Sequence, residues 1–163
     1  MLVKTLSAIV FLCWGISGSG QVVINEFLAS NSNGTEDPDF GESSDWLELH
    51  NVSPSPLDLS GWFLTDDLSL PNKWTLPSGV SIPTGGFLLI WCDGENVSLD
   101  ALHTNFKLSA DGEDIAIHRP DFSLADTFQF GQQATNVSRG RGVDGSPDWN
   151  WFNTPTPLSL IHI

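Results

Sequence analysis

Tyrosine is absent from this chain, methionine occurs once, cysteine twice, and six basic residues face twenty acidic ones. Each shortage excludes something. Cys13 lies in an N-terminal apolar stretch that reads as a removable leader, so the processed chain keeps only Cys92. An intramolecular disulfide is then impossible, and stability must come from packing. Cys92 ends the run FLLIWC, where a small buried hydrophobe is expected rather than a nucleophile. The formal net charge of −14 repels phosphate backbones and anionic lipid, which excludes nucleic acid as a partner. No apolar run is long enough to span a membrane comfortably. Sustained helical periodicity is missing, as are a G-x-S-x-G elbow and a Gly-rich phosphate loop. His50, His103, His118 and His162 have no neighbours at metal-ligand spacing, so zinc has no support at this level.

What is present is a leader followed by a strand-rich domain. MLVK is a short charged start, LSAIVFLCWGI an apolar core and SGSG a small-residue cleavage region, so residues 1–20 read as a secretory signal with Gln21 as the new N-terminus. The rest, residues 21–157, is long enough for one domain. Trp and Phe must carry its aromatic packing, since Tyr is absent.

Apolar alternation in DWLELHN (45–51), and the apolar residues of LDLSGWFLTDD (57–67) around a Gly kink, predict two strands paired through the NVSPSP turn. QVVINEFLAS opens the domain as a strand. FLLIWCD, nearly all apolar, is expected to be a central strand buried on both sides. NFKLSA and IAIHRP flank an Asp-Gly turn that needs Gly112 at positive φ. DFSLADTFQFG continues the alternation, with one helical turn as the alternative over 125–130. QQATNVSRGRG is expected to be the last edge strand. Turn residues recur every eight to twelve positions, so the expected fold class is all-β, an antiparallel sandwich of roughly seven to nine strands. LSLIHI fits no strand, and residues 158–163 are expected to be an unstructured or truncated end.

The segments VVINEFLASN, SDWLELHN, PLDLSGWFLTDD, KWTLPSGVSIPTGGFLLIWCDG, LHTNFKLSADGEDIAIHRPDF and SRGR, in this order, resemble the lamin-tail domain, and within it the bacterial secreted branch. The resemblance implies an immunoglobulin-like β-sandwich. It also implies no enzymatic activity, and an accessory role beside other extracellular domains.

The candidate sites follow from the acidic loop and the tryptophans. Asp37, Asp39, Glu42 and Asp45 fall within nine residues and are candidate ligands for calcium, a hard cation that takes oxygen donors. Gly41 stands one position early for an EF-hand loop and no helices flank it, which excludes that motif. Glu42 and Glu48 as a glycosidase pair have nothing to place them across a cleft. Trp46, Trp62, Trp74 and Trp91 belong to strands and are expected in the core. Trp149 and Trp151, two residues apart in a polar segment, are the candidate ligand-binding pair. His50 and His118 are expected at the surface. The expected function is a non-catalytic secreted binding or tethering module, the N-terminal accessory domain of a larger extracellular protein. Its partner would be a protein or a cell-surface polysaccharide. The alternative is a calcium-dependent carbohydrate-binding module.

Overall fold

A computed structural model describes residues 21–159; the expected leader and residues 160–163 lie outside the described residues. Every helix or strand element in that span is a strand. In chain order these are β1 (Val22–Leu28), β2 (Trp46–Asn51), β3 (Leu57–Asp58), β4 (Phe63–Thr65), β5 (Trp74–Thr75) and β6 (Ser81–Ile82), then β7 (Phe87–Trp91), β8 (Glu113–His118), β9 (Leu124–Phe130), β10 (Ser138–Arg141) and β11 (Trp149–Phe152). A five-stranded sheet in the order β11-β10-β1-β2-β7 packs on a four-stranded sheet, β5-β4-β8-β9, and β3 and β6 form a small ribbon. All strand pairs within the sheets are antiparallel. The fold is the expected all-β, immunoglobulin-like sandwich. Its strands exceed the expected number because β3, β5 and β6 are only two residues long, too short to show alternation.

The core lies between the sheets. Leu47 and Leu49 of β2, with Leu88 and Ile90 of β7, point inward against Leu64, Ile115, Ile117 and the rings of Trp62 and Trp74. Burying an aliphatic side chain of this kind stabilises by about 1.5–3 kcal/mol. The strand period of two sends Trp46, Glu48 and His50 to the opposite, outer face. On β1 the register shifts between Ile24 and Glu26. This bulge lets Val22, Ile24 and Phe27 all join the core and turns both Asn25 and Glu26 outward.

The two segments expected to pair through the NVSPSP turn do not pair with each other. β2 pairs with β1 and β7, whereas β3 pairs with β6, and β4 with β5 and β8. The NVSPSP connection carries the chain from one sheet to the other. Asn51, fully buried, fixes this crossing. Its amide donates to the carbonyls of Ser55, Ile82 and Pro83 at 2.9, 2.9 and 3.1 Å and its oxygen accepts from the Ser53 amide and hydroxyl at 2.9 and 2.7 Å. A side chain that satisfies five backbone and hydroxyl groups replaces the direct hairpin ladder.

Three further expectations change. The segment 105–110 makes an isolated bridge, Asp93 to Lys107, in place of a regular strand, while Phe106 and Leu108 are buried in the core. β10 lies inside the sheet, between β1 and β11, and the edge is β11. His50 and His118 are buried, although they do lie on outer faces. His50 is covered by the ring of Phe87 at 4.4 Å, and the Nδ1 of His118 lies 3.3 Å from the Phe122 carbonyl. Residues 125–130 are strand, as the alternation suggested, and not helix.

Gly112 has φ +106°, and a Cβ there would lie 2.6 Å from the Phe130 carbonyl oxygen and 2.7 Å from the Gly131 Cα. Both the dihedral and the space demand glycine. Gly112→Ala is expected to lower stability by about 1–3 kcal/mol, read as a fall in the urea midpoint at unchanged slope.

Candidate functional site

Two features stand out from the sandwich, both at the β7 side of the five-stranded sheet. The first is β7 itself. The continuous apolar run that reads as a central strand is an edge strand, and its first three residues, Phe87 to Leu89, are only partly buried. A run with no polar alternation does not distinguish two buried faces from one buried face and an open apolar flank. At its far end β7 is covered: the Trp91 amide donates to the Leu102 carbonyl at 2.8 Å and the Thr104 amide donates to the Trp91 carbonyl at 2.9 Å. Backbone groups alternate in direction along a strand. The N–H and C=O of Leu89 and Phe87 therefore point the same way as those of Trp91, away from β2. Among the described residues no strand pairs with them there.

Beside this open edge runs a groove of about 530 Å³, mainly apolar, lined by Phe87, Leu89, Trp91, Ala101, Leu102 and Leu158. Its floor continues into a small outer cluster in which Leu28, Trp46 and Trp91 are buried. Trp46 and Trp91 are thus packed, as expected, but in this outer cluster; Trp62 and Trp74 belong to the main core. Glu36 and Asp100, both exposed, stand on the rim, and no lysine or arginine lines the groove. Leu158 reaches it because the C-terminal stretch is strapped across the outer face. Thr156 donates to the Glu26 carboxylate through its amide at 3.0 Å and its hydroxyl at 2.8 Å, and the Leu158 amide donates to Glu48 Oε2 at 2.5 Å. Burial is the main cause that pushes the Glu48 carboxyl up to about 7, helped by the charges of Glu26 and Asp144 and opposed by hydrogen bonds from Asn25 and Leu158.

The second feature is built by the acidic loop between β1 and β2. Asn31 folds the loop, donating to the Thr35 and Ser44 carbonyls at 2.9 and 2.8 Å and accepting from the Gly34 amide at 2.9 Å. Asp37 is buried; its Oδ1 accepts from the amides of Asp39 and Phe40 at 2.7 and 3.2 Å, an Asx turn. That turn aims Asp39 at the loop after β7. There its two oxygens accept the amides of Asp100 and Ala101 at 3.2 and 2.9 Å, and Oδ2 lies 2.9 Å from His103 Nε2. On the other side of the ring, His103 Nδ1 lies 2.6 Å from Asp93 Oδ2. Phe40 covers the ring edge-on at 5.1 Å.

With a carboxylate on each nitrogen, the ring donates from both, as imidazolium does. Burial alone would lower the His103 pKa, but the hydrogen bonds to Asp93 and Asp39 and the charges around it outweigh burial and raise it. The same hydrogen bond from His103 is the main cause that lowers the Asp39 carboxyl, aided by the Asp100 and Ala101 amides.

The four acidic candidates are therefore sorted by the fold. Asp37 and Asp39 meet at His103. Asp45 is turned to the Asn31 amide at 2.9 Å, and burial raises its pKa. Glu42 is exposed and rims a small polar cavity of about 130 Å³ that Asp93 also lines. Asp93 and His103 escape a reading by spacing, because His103 gathers partners ten and sixty-four residues away. The only trace is indirect and belongs to Asp93, which follows directly on the apolar run FLLIWC.

The candidate pair Trp149 and Trp151 is split. Trp149 stacks on Phe128 at 3.7 Å, packs near Phe27 and has Arg141 over its ring at 5.0 Å. Trp151 is 49% exposed, with Arg139 over it at 4.5 Å.

Among the described residues no helix is long and apolar enough to cross a membrane. No curated protein matches the chain. A family model of the lamin-tail domain matches residues 16–132. The match ends before β10 and β11, so the SRGR segment lies beyond it, although both strands complete the five-stranded sheet. By this match, over more than half its length, the chain belongs to the lamin-tail domain family.

Proposed function

We propose that this chain is a non-catalytic binding module that works outside the cell, as an accessory domain of a larger extracellular protein, and takes an extended segment of a protein partner as an added strand on β7. The observation that carries this is the open edge at Phe87 and Leu89 beside the apolar groove. An added strand gains main-chain hydrogen bonds from the edge, and its alternate side chains enter the groove. The acidic rim of Glu36 and Asp100, on a strongly acidic chain, selects a segment in which basic residues alternate with apolar ones. The family supports a role without chemistry, being one of immunoglobulin-like domains and not of enzymes. The leader-like residues 1–20 support secretion.

The test uses ten-residue peptides of alternating apolar and basic side chains, with acidic and scrambled counterparts, and reads fluorescence anisotropy. The basic alternating peptides are expected to bind. Leu89→Pro removes an outward N–H and no bond to β2, a place where an edge strand tolerates proline. It is expected to weaken binding at least tenfold, about 1.4 kcal/mol, while Leu89→Ala, which keeps the N–H, loses less. Equal loss in both variants, with both folded by circular dichroism, would rule out strand addition.

The alternative, a calcium-dependent carbohydrate-binding module, is favoured by one observation. Trp151 lies at a shallow depression of about 490 Å³ with the amides of Gln132, Gln133 and Asn153. An aromatic face beside amide groups suits a sugar, and this depression would have to act without Trp149. Retention on polysaccharide columns that Trp151→Ala abolishes would establish it; no retention would remove it.

A further inference from the structure

The His103 cluster has more acceptors than its one ring can satisfy. Asp37, Asp93 and His103 are all buried, and each offers a ligand atom within 4.8 Å of the other two. The Asp37 Oδ2 is buried without a hydrogen-bond partner, an unfavourable arrangement unless something fills it. Asp39 is different in kind. Both its oxygens are engaged by backbone amides, so it is held in place and its remaining contact is the His103 Nε2. Asp93 accepts the Glu95 amide on Oδ1 at 3.0 Å, and its Oδ2 meets only the ring.

We propose that Asp37, Asp93 and the Nδ1 of His103 form a site for one divalent transition-metal ion, zinc first, with Asp39 as the carboxylate that orients the ring through Nε2. The donor chemistry separates this from calcium. An imidazole nitrogen and two carboxylates suit zinc, whereas calcium takes six to eight oxygens. A carboxylate on the far nitrogen of a ligating histidine is the usual support for such a ring. In the metal-free geometry a proton on Nδ1 stands where the ion would bind. Ligand atoms on tetrahedral zinc lie about 3.4 Å apart, so Asp93 Oδ2 and Nδ1 must part from 2.6 Å. Asp37 Oδ1 lies 3.9 Å from Nε2, so its carboxylate must swing toward the Nδ1 side to complete the set. The small polar cavity beside Asp93, rimmed by Glu42, Glu95 and Lys107, provides an approach and space for a water as fourth ligand. Sequence spacing gives no hint of this site, since Asp37 comes from the β1–β2 loop and Asp93 and His103 stand ten residues apart in the β7–β8 connection.

The experiment is titration of the full chain with zinc alone and with calcium alone, by calorimetry and thermal melting. The expected result is one zinc per chain with a raised melting temperature, and neither with calcium. Asp37→Asn keeps the Asx turn and removes a ligand charge, so it should fold as the parent and lose zinc affinity at least tenfold. Cobalt substitution gives a second readout: a visible absorption band in the parent that is lost in Asp37→Asn and, provided it folds, in His103→Gln. No zinc binding by the parent, or binding that Asp37→Asn leaves unchanged, would overturn the proposal.

Discussion

Replacing His103 by leucine is expected to produce the largest loss of stability of any single substitution considered for this protein, about 3–5 kcal/mol. The reason is desolvation. His103 is completely buried between Asp93 and Asp39, and leucine of similar volume would leave those carboxylates facing an apolar group. Removing one partner of a buried ion pair costs more than the pair itself contributes, because the remaining charge stays out of water. The loss should therefore be reduced when the facing carboxylate is also neutralised. His103→Leu combined with Asp93→Leu should recover part of what His103→Leu loses, and a double-mutant cycle by urea unfolding measures that coupling. Simple additivity of the two losses would contradict the ion-pair account of the cluster.

The second large effect is on pH dependence, and Glu48 carries it. Its carboxyl rises from its ordinary value of 4.5 to about 7 in the folded chain. Between those values the native state holds a proton that the unfolded state has released. The contribution of Glu48 to stability is therefore fully present below the unfolded value, falls as pH rises through the window, and is lost above the folded value. The shift corresponds to about 3 kcal/mol. The groups facing Glu48 are Asn25 and the Leu158 amide, which favour its charge, and Glu26 and Asp144, which oppose it. Glu113 is also pushed up to about 7, mainly by burial. It acts in the same direction, weakened by its partial exposure to solvent. Unfolding free energy is expected to drop between pH 5 and pH 8. Glu48→Gln should reduce that drop by about 3 kcal/mol, whatever the amide costs at both pH values through its lost acceptor. An unchanged slope in Glu48→Gln would place the effect elsewhere.

Much of the architecture was legible before any coordinates. Leu47 and Leu49 alternate with Glu48 and His50, and that period of two defines β2 and its faces. The ordered family segments carried the sandwich. What was hidden depends on contacts that the local pattern does not encode. The bulge in β1 shows no sequence mark, since VVINEFL is apolar enough for either phase. Pairing partners were misread where Asn51, a single buried amide, substitutes for a hairpin turn. FLLIWC looked central because its apolar residues do not reveal which neighbour is missing. The acidic loop folds around a histidine sixty-four residues distant from Asp39, so only half of its candidate residues meet there. Trp149 and Trp151 sit two apart on one strand, and yet Phe128 covers one and leaves the other.

The account rests most heavily on the open flank of β7, and amide hydrogen exchange at Phe87 and Leu89 tests it most directly. In the free protein these two amides should exchange much faster than those of Leu88 and Ile90, which face β2. Adding the basic alternating peptide should slow Phe87 and Leu89 selectively. If they are already protected in the free chain, or stay fast when the peptide is bound, β7 is not the strand that receives a partner.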